Sequence, residues 1–577
     1  MLVVIALGTV EVLARLSLSR GELAQMLSGR PVLRGSGRDD ERRLVNIVDE
    51  MAIASGLPAP PLYVLHREQG INAFAAGASP SQAVIVVTQG ALERLSRDEL
   101  QAVIAHEFSH ILNGDIRLNL RAVYVLQGIV FLAAIGRFMM RYYSGAGTDE
   151  GRRFFHLPLA LLGTGIFAAG SVGLVFCRVI QASLAREREN LADACAVQYT
   201  RNADALCGAL ARIRVSGEGS SIRNWHADAL AHMLFAPTSH GWWRGLIATH
   251  PPIEERMRRI NPHVSPYFYF ERARAPRGKG EEKASPEAKA PEKEKPRTIV
   301  PKRATGVAAL IAAIGAPGAE HLEYASSLLA YLPPSIREAL GDPAGAQSAM
   351  LGLLLQEEPA GREVQLRAVQ AALGEALARK CEVIAPLLRQ LDPAYRLPLV
   401  ALAVPVLKRL EVPAREAFLA AVRGAVEADG RITLGEFVLT TILGWTLLPR
   451  ARPAVASSAL AAAEIAQVLS LVAHAGSDDD ALAKAAFDKG AAVLGLSLPA
   501  LTPREELRLA KVSSALERVG GLPAADKEKL LEALATEAAA DDNVRRAEHE
   551  LLRAVACALD CPMPPSIAAL DPRLLGK

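Results

Sequence analysis

The order of apolar and polar positions first indicates a segment that contains both helices and strands, at residues 40–115. DERRLVNIVDEMAIASG has the spacing of an amphipathic helix that ends at Gly56. The runs PPLYVLH and QAVIVVTQG, on either side of INAFAAG, are short, β-rich and typical of strands. A second helix begins at Ser96, which forms a capping box with Glu99 three residues later. We therefore predict a small sheet packed against helices.

Two long apolar runs follow, at about residues 122–140 and 157–177. The second run carries no charged residue and is long enough to cross about 30 Å of hydrocarbon, whereas Arg137 interrupts the first. We predict a transmembrane helical hairpin, with buried core helices as the alternative. Residues 1–34 show no convincing secretory signal and predict a membrane-proximal helix. A start codon placed too late, which removes an upstream span, would explain them equally well.

The composition changes sharply after the mixed and apolar segments. Residues 271–305 are rich in Pro, Lys and Glu with almost no apolar content, which predicts a disordered linker. Residues 306–577 are rich in Ala and Leu, and none of their uninterrupted apolar runs reaches the length of a membrane span. We therefore predict a separate, soluble all-α domain at the C-terminal end.

This helical region contains an internal repeat, EADGRITLGEF and AADDNVRRAEH. An EF-hand interpretation fails because Ala425 would occupy the first ligand position. We expect the acidic residues to stabilise helix N-termini, with metal binding as the weaker alternative. The matched residues are Asp429, Ile432 and Glu436 in the first copy and Asp541, Val544 and Glu548 in the second.

Charge and cysteine content narrow the class of protein. The formal net charge is only +3 over 577 residues, so nothing suggests a nucleic-acid partner. The six cysteines are scattered and form no CxxC pair. A disulfide framework or a Cys-rich zinc site is therefore not expected, and a reducing compartment fits.

The candidate chemistry lies in VIAHEFSHILNGD, residues 103–115. His106 and His110 are four residues apart, so a helix places both imidazoles on one face, where they can bind one Zn²⁺ ion. Glu107 is rotated by about 100° from His106 and need not be a ligand. It can instead accept a proton from water at the metal and pass it to the leaving amine. Two unrelated surface histidines are the alternative, but the apolar flanks predict a mostly buried helix.

A catalytic zinc site needs a third protein ligand, which must come from elsewhere because the HExxHxxGxxH continuation is absent. Our candidate is Glu189 in RERENLADACAVQYT, with Asp193 one helical turn later. Glu187 is the rival, but it falls on another face of the helix. Asp193 is placed to hold a zinc histidine through its outer nitrogen. A hairpin through the membrane would return Glu189 to the side on which His110 lies.

These motifs resemble the M48 metallopeptidases, which include HtpX-type membrane proteases and the related prenyl-protein proteases. The resemblance covers about residues 35–262 and rests on INAFAAG, HEFSHILNGD, RERENLADACAVQYTRN and THPPIEERMRRI, in that order. It implies one Zn²⁺ per chain bound by His106, His110 and Glu189, with Glu107 as the catalytic acid and base. It also implies a location in the inner membrane, with the catalytic side facing the cytoplasm. We expect a multi-pass protein whose C-terminal domain is also cytoplasmic, because no signal is found, the cysteines are unpaired and a large domain follows the linker.

The expected fold class is thus mainly α. A membrane-anchored zincin-type metalloprotease domain of helices and a small sheet occupies residues 35–270 and carries the hairpin. The linker and an all-α domain follow, and the short acidic motifs of that domain resemble TerB-type repeats. Two residues remain open: Asn72 as a substrate contact or a turn former, and His250 as an oxyanion stabiliser or part of a helix start.

We predict an endopeptidase that acts on polypeptides, by resemblance misfolded membrane proteins in quality control. Residues 306–577 could add a protein partner. One alternative is a catalytically silent membrane scaffold that acts through its C-terminal domain. The other is a processing protease of narrow specificity.

Overall fold

The computed structural model divides the chain into two compact units. The mixed unit comprises Met1–Val32 and Leu62–Gly280, and the helical unit comprises Leu33–Pro61 and Glu281–Lys577. For 150–160 and 174–184 the description covers the backbone alone. The described residues are 28–34, 37–77, 79–116, 135–140, 150–222, 234–236, 251–274, 317–428, 432–448, 453–541 and 544–565.

A four-stranded sheet forms one layer of the mixed unit. Its strands are β1 (Arg30–Pro31), β2 (Leu62–Leu65), β3 (Ala73–Ala76) and β4 (Val84–Thr88). Their order across the sheet is β1–β2–β4–β3. The β2–β4 pair is parallel, and the β1–β2 and β3–β4 pairs are antiparallel. The apolar runs that predicted strands are β2 and β4, whose residues are almost all buried.

Two helices of the mixed unit contact this sheet, one at β3 and one at β4. The helix that follows Ser96 packs along the edge strand β3, and Ser96 and Glu99 form the expected capping box, with Ser96 N donating to Glu99 Oε2 at 2.7 Å. Glu99 also binds Arg212 at 2.8 Å, which fixes the start of this helix. The helices here are α2 (Gln89–Arg94), α3 (Arg97–Leu112), α4 (Glu150–Thr200), α5 (Ala203–Val215), α6 (Ile253–Ile260) and α7 (Pro266–Arg274).

Helix α4 is continuous over 51 residues, or about 76 Å. It contains the second predicted span. Residues 135–140, at the end of the first predicted span, are helical and lie directly against it. Glycines allow this approach, since a Cβ on Gly136 would come within 2.4 Å of the Phe167 backbone and one on Gly163 within 2.7 Å of Met139. The rest of the first span lies outside the described residues.

Among the described residues, one helical stretch passes a length and composition test for a membrane span, Ser458–Gly476. It belongs to the helical unit, and 56% of it is buried there. Ile465, Val468 and Leu469 lie in the unit's apolar core, as in the core helix of a soluble domain. Leu161–Gly173 in α4 is a shorter apolar stretch.

Apolar side chains of the helical unit form two adjoining cores, and the helix Leu434–Leu447 contributes to both. That helix packs on Arg546–Ala558, and each of the two begins at one copy of the internal repeat. At both starts the repeat glutamate accepts a backbone hydrogen bond: Glu436 from Thr433 at 2.8 Å and Glu548 from Arg545 at 2.7 Å. Asp429 lies outside the described residues.

The helices of this unit are given in chain order. They are α1 (Asp39–Ser55), α8 (Ala319–Tyr331), α9 (Pro334–Ala339), α10 (Pro343–Gly352), α11 (Pro359–Leu373), α12 (Glu375–Arg389), α13 (Arg396–Leu407), α14 (Val412–Glu427), α15 (Leu434–Leu447), α16 (Ala462–Gly476), α17 (Asp480–Leu494), α18 (Leu509–Val519), α19 (Ala524–Ala538) and α20 (Arg546–Ala558).

Helix α1 is where the compact units depart from the predicted domain boundaries. The sequence places it, with the rest of residues 35–270, in the metalloprotease domain. In the structure it packs on α8 and α13 of the helical unit. Its apolar periodicity predicts which of its faces is buried, but not which element covers that face.

Candidate metal centre

The two histidines of the HExxH segment lie on the buried part of α3. His106 is fully buried and His110 partly so. Their Nε2 atoms are 3.2 Å apart, and the rings meet at nearly a right angle with centroids 4.8 Å apart. Four-residue spacing on a helix brings the two rings together, as the sequence predicts.

Glu189 joins the two histidines from α4. Its Oε1 lies 3.4 Å from His106 Nε2, and its side chain is 4% exposed. Among the described residues, His106, His110 and Glu189 form one group with the donor set of a metal site, and their ligand atoms lie within 4.8 Å of one another. Glu187, the rival third ligand, is exposed.

The spacing of these donors fits a zinc ion. Tetrahedral zinc with bonds of about 2.0–2.1 Å separates neighbouring ligand atoms by about 3.3 Å. Two of the three separations, 3.2 and 3.4 Å, match that edge length. Two buried imidazole nitrogens that face each other also need a proton or a metal ion between them, because their lone pairs repel. The donor set and its spacing therefore suit Zn²⁺.

A carboxylate holds the outer nitrogen of each histidine. Asp193 Oδ1 lies 3.0 Å from His106 Nδ1, and Asp115 Oδ2 lies 2.9 Å from His110 Nδ1. Asp115 also forms an ion pair with Arg188 on α4. Such contacts fix the ring orientation and the tautomer that leaves Nε2 free for a metal. Asp193 thus lies against the outer nitrogen of His106.

Arg256 completes the site, and our sequence reasoning missed it. It is 1% exposed and binds Asp193 with two nitrogens, Nε at 2.8 Å and Nη2 at 2.7 Å. Its Nη1 lies 2.9 Å from Glu189 Oε1 and donates to the Phe235 carbonyl at 2.7 Å. One buried guanidinium thus holds Glu189 and Asp193 in place. Arg256 lies within the motif THPPIEERMRRI, but the many charges of that motif are typical of a solvent-exposed helix face.

The electrostatics of the cluster favour a cation. Burial alone would lower the pKa of His106, but the neighbouring Glu189 and Asp193 outweigh it and raise that pKa to about 10. The same carboxylates would stabilise a metal ion at that place. Burial raises the pKa of Glu107, although both histidines act to lower it. A raised pKa suits a carboxyl group that must exchange protons near neutral pH.

Glu107 lies between the metal ligands and the edge strand β3. It is 1% exposed, and its two oxygens have no hydrogen-bond partner among the described residues. The backbone amide of Ala75 is close enough to lower its pKa slightly. At Ala73 the carbonyl on the outer side of β3 accepts from Phe235 N at 2.9 Å. Because strand residues alternate, Ala75 presents its backbone on that same side.

The two residues whose roles the sequence left open are Asn72 and His250. Asn72 is 1% exposed, and its side chain donates to the Ser220 and Ala236 carbonyls and accepts from Ala73 N and Ala236 N. These four bonds use the whole hydrogen-bonding capacity of the side chain and anchor the start of β3. His250 lies outside the described residues.

Comparisons with known proteins agree with this geometry. The model of Peptidase family M48 matches residues 38–263. A protease HtpX homolog of Ligilactobacillus salivarius is 36% identical over 217 residues, which cover 38% of this chain and 72% of the relative. One of Caldanaerobacter subterraneus subsp. tengcongensis is 38% identical over 218 residues, which cover 38% and 70%.

A third protease HtpX homolog, from Tropheryma whipplei strain TW08/27, is 34% identical over 247 residues, which cover 42% of this chain and 78% of the relative. No solved structure matches the chain. Each of these relatives is matched over more than two thirds of its own length, and the family match spans the residues of the metal centre. The chain therefore belongs to peptidase family M48 as an HtpX-like metallopeptidase.

Proposed function

We propose that this protein is a membrane-bound, zinc-dependent endopeptidase that hydrolyses peptide bonds. The observation that carries the proposal is the buried group of His106, His110 and Glu189, with Glu107 beside it and a carboxylate on each histidine. One Zn²⁺ per chain satisfies this donor set. A bound zinc ion would supply a Lewis acid that polarises a carbonyl and acidifies water.

Glu107 performs the proton transfers in this proposal. Its burial holds the pKa above the ordinary value, so the carboxylate can take a proton from the attacking water and then return it to the leaving amine. Asp193 and Asp115 keep the imidazoles oriented throughout. Arg256 keeps Glu189 from turning away, because its Nη1 holds that carboxylate at 2.9 Å.

The substrate is an extended polypeptide that pairs with the outer side of β3 at Ala75. Ala75 lies next to Glu107, so a strand bound there would pass directly by the reacting groups. Pairing through backbone groups gives little sequence specificity. This favours unfolded or misfolded chains, and misfolded membrane proteins in particular are the substrates that the resemblance to HtpX-type proteases suggests.

Membrane anchoring is supported by α4 and by the segment that lies against it. Close packing at Gly136 and Gly163 fits the small-residue contacts by which membrane helices associate. Leu161, Leu162 and Val172 are exposed on α4, as lipid-facing side chains would be. We place the protein in the inner membrane as a multi-pass protein, with the metal centre and the TerB-like helical region on the cytoplasmic side. Retention in the membrane pellet after an alkaline carbonate wash tests this anchoring; release into the supernatant would contradict it.

The decisive experiment compares the detergent-purified protein with its Glu107→Gln variant on casein. We expect wild type to cleave casein and Glu107→Gln to lose cleavage while its zinc content stays unchanged. Glu187→Gln is the matched control, since Glu187 is an exposed glutamate near the site, and it should cleave like wild type. If zinc-loaded wild type fails to cleave casein, a lipidated peptide substrate distinguishes the processing protease from the silent scaffold, which would cleave neither.

A further inference from the structure

Residues 33–61, which we call the strap, connect two neighbouring strands of the mixed unit but fold within the helical unit. The two ends of the strap are held together in the sheet. Val32 N donates to Leu62 O at 2.9 Å, and Arg30 is paired with Val64 across β1 and β2. The strap is thus a loop of the sheet whose middle belongs to another unit.

The rest of the helical unit holds the strap through apolar contacts. Ile53 and Ala54 are each 1% exposed and belong to the same core cluster as Tyr324 and Leu328 of α8 and Leu402 of α13. Burial of the Ile53 side chain stabilises this contact, because it removes apolar surface from water. The Ile53 side chain would lose these contacts if α8 and α13 were removed.

The C-terminal end of α1 is held by closer contacts of the backbone. Gly56 has a φ of 72°, and a Cβ there would come within 1.8 Å of the Met563 carbonyl oxygen. Three residues later, Ala59 N donates to Ala401 O at 3.1 Å. Together with the apolar contacts, the strap therefore touches the rest of the helical unit at three places: at α8, at α13 and after α20.

The comparison with relatives indicates that the helical region is an addition to the peptidase. The M48 match begins at residue 38 and so includes α1. The relative from Ligilactobacillus salivarius is about half as long as this chain, because 217 residues make up 72% of it. It therefore has no room for a helical region of this size beside a complete peptidase region.

We propose that the C-terminal helical region, residues 306–577, is an integral part of the peptidase. This region grips the strap and thereby stays associated with the mixed unit without the linker. The linker then acts as a secondary connection. The association itself is independent of the proposed peptidase function.

The test uses the full-length protein with a site-specific protease recognition sequence inserted within residues 285–295. After cleavage, size-exclusion chromatography in detergent shows whether the two fragments elute together. We expect them to stay together in wild type. Gly56→Ala should release the C-terminal fragment, roughly tenfold more than wild type, because its Cβ overlaps Met563 O.

Gly495→Ala is the matched control. Gly495 also has a positive φ, 64°, but a Cβ there meets nothing within 4 Å, so this variant should behave like wild type. If Gly56→Ala does not fold, Ala59→Pro removes the hydrogen bond to Ala401 O and should release the fragment to a smaller extent. Separation of the wild-type fragments while both remain helical by circular dichroism would overturn the proposal. So would joint elution of the cleaved Gly56→Ala and Ala59→Pro proteins.

Casein cleavage by the cut but associated wild-type complex provides a second readout, which does rest on the proposed peptidase function. We expect activity to fall in proportion to the released fragment. An absence of casein cleavage before the cut would count against the peptidase function alone, since co-elution still decides whether the helical unit grips the strap.

Discussion

Replacement of Asp193 by Asn tests the metal centre at one atom. Asp193 Oδ1 lies 3.0 Å from His106 Nδ1, and Asp193 is itself bound by Arg256 through two nitrogens. Asparagine keeps the shape of the side chain but removes its charge, and it turns an amide donor toward the guanidinium or the imidazole. We expect the variant to bind Zn²⁺ more weakly, because His106 loses the partner that fixes its orientation.

The magnitude follows from the burial of the pair. Loss of an outer partner of a metal-bound histidine costs about 10- to 100-fold in metal affinity, or about 1.4–2.8 kcal/mol. Asp193 and His106 are both almost fully buried, so water cannot replace the lost contact and the upper end of this range is expected. Asp115→Asn should cost less, since His110 is partly exposed and the Arg188 partner of Asp115 is 24% exposed.

The assay strips the purified protein with a chelator and titrates zinc back in competition with a chromophoric chelator. Glu187→Gln serves as the control and should bind zinc like wild type, because its carboxylate is exposed. Wild-type zinc affinity in a folded Asp193→Asn protein would refute the role given to Asp193. A loss in Glu187→Gln equal to that in Glu189→Gln would refute the choice of the third ligand.

Two further variants test the buried charges. Arg256→Met leaves Glu189 and Asp193 without their cation. The metal-free variant should therefore lose about 3–5 kcal/mol of stability in urea unfolding, and Arg256→Lys should recover part of this loss. An unchanged unfolding midpoint in Arg256→Met would contradict this expectation. Glu537 is 2% exposed, and burial followed by repulsion from Glu548 raises its pKa well above its usual value. The folded protein is most stable with respect to this group below the pKa of Glu537 in the unfolded chain, about 4.5. This stability is lost as the pH rises toward the higher pKa of Glu537 in the folded protein, since the buried carboxyl must then become charged. Glu537→Gln should therefore raise the thermal unfolding temperature at about pH 8 and leave it unchanged at about pH 4, and equal shifts at both would contradict the reasoning.

The sequence could predict those parts of the site that depend on local periodicity. His106 and His110 share a helix face because of their spacing, and Glu189 with Asp193 repeats that spacing on a second helix. The helical wheel separated Glu189 from Glu187, and the structure leaves Glu187 exposed. Each of these inferences needed only the geometry of one helix.

Other features depend on which elements meet, and local pattern carries no such information. Arg256 lies 63 residues from Asp193, in a helix whose charges look like a solvated face. Asn72 is a typical turn residue in the sequence, and the same sequence would be compatible with a free side chain. In the structure that side chain is bonded to residues 148 and 164 positions away. Helix α1 shows an apolar stripe, but the stripe does not say that α8 covers it.

If the apolar run of α4 lies in the bilayer as proposed, the unbroken course of this helix sets the minimum length of chain that a membrane-embedded substrate must release before it can be cut. That run ends at Cys177, and Glu189 follows 12 residues later in the same helix, which places the reacting groups roughly 18 Å from the hydrocarbon boundary along the helix axis. An extended chain covers about 3.3 Å per residue, so a membrane-embedded substrate must release at least about five or six residues before a peptide bond reaches Glu107. With membrane proteins as the proposed substrates, helices that remain anchored up to their last apolar residue would be spared, and those that have begun to slip out of the bilayer would be exposed to cleavage.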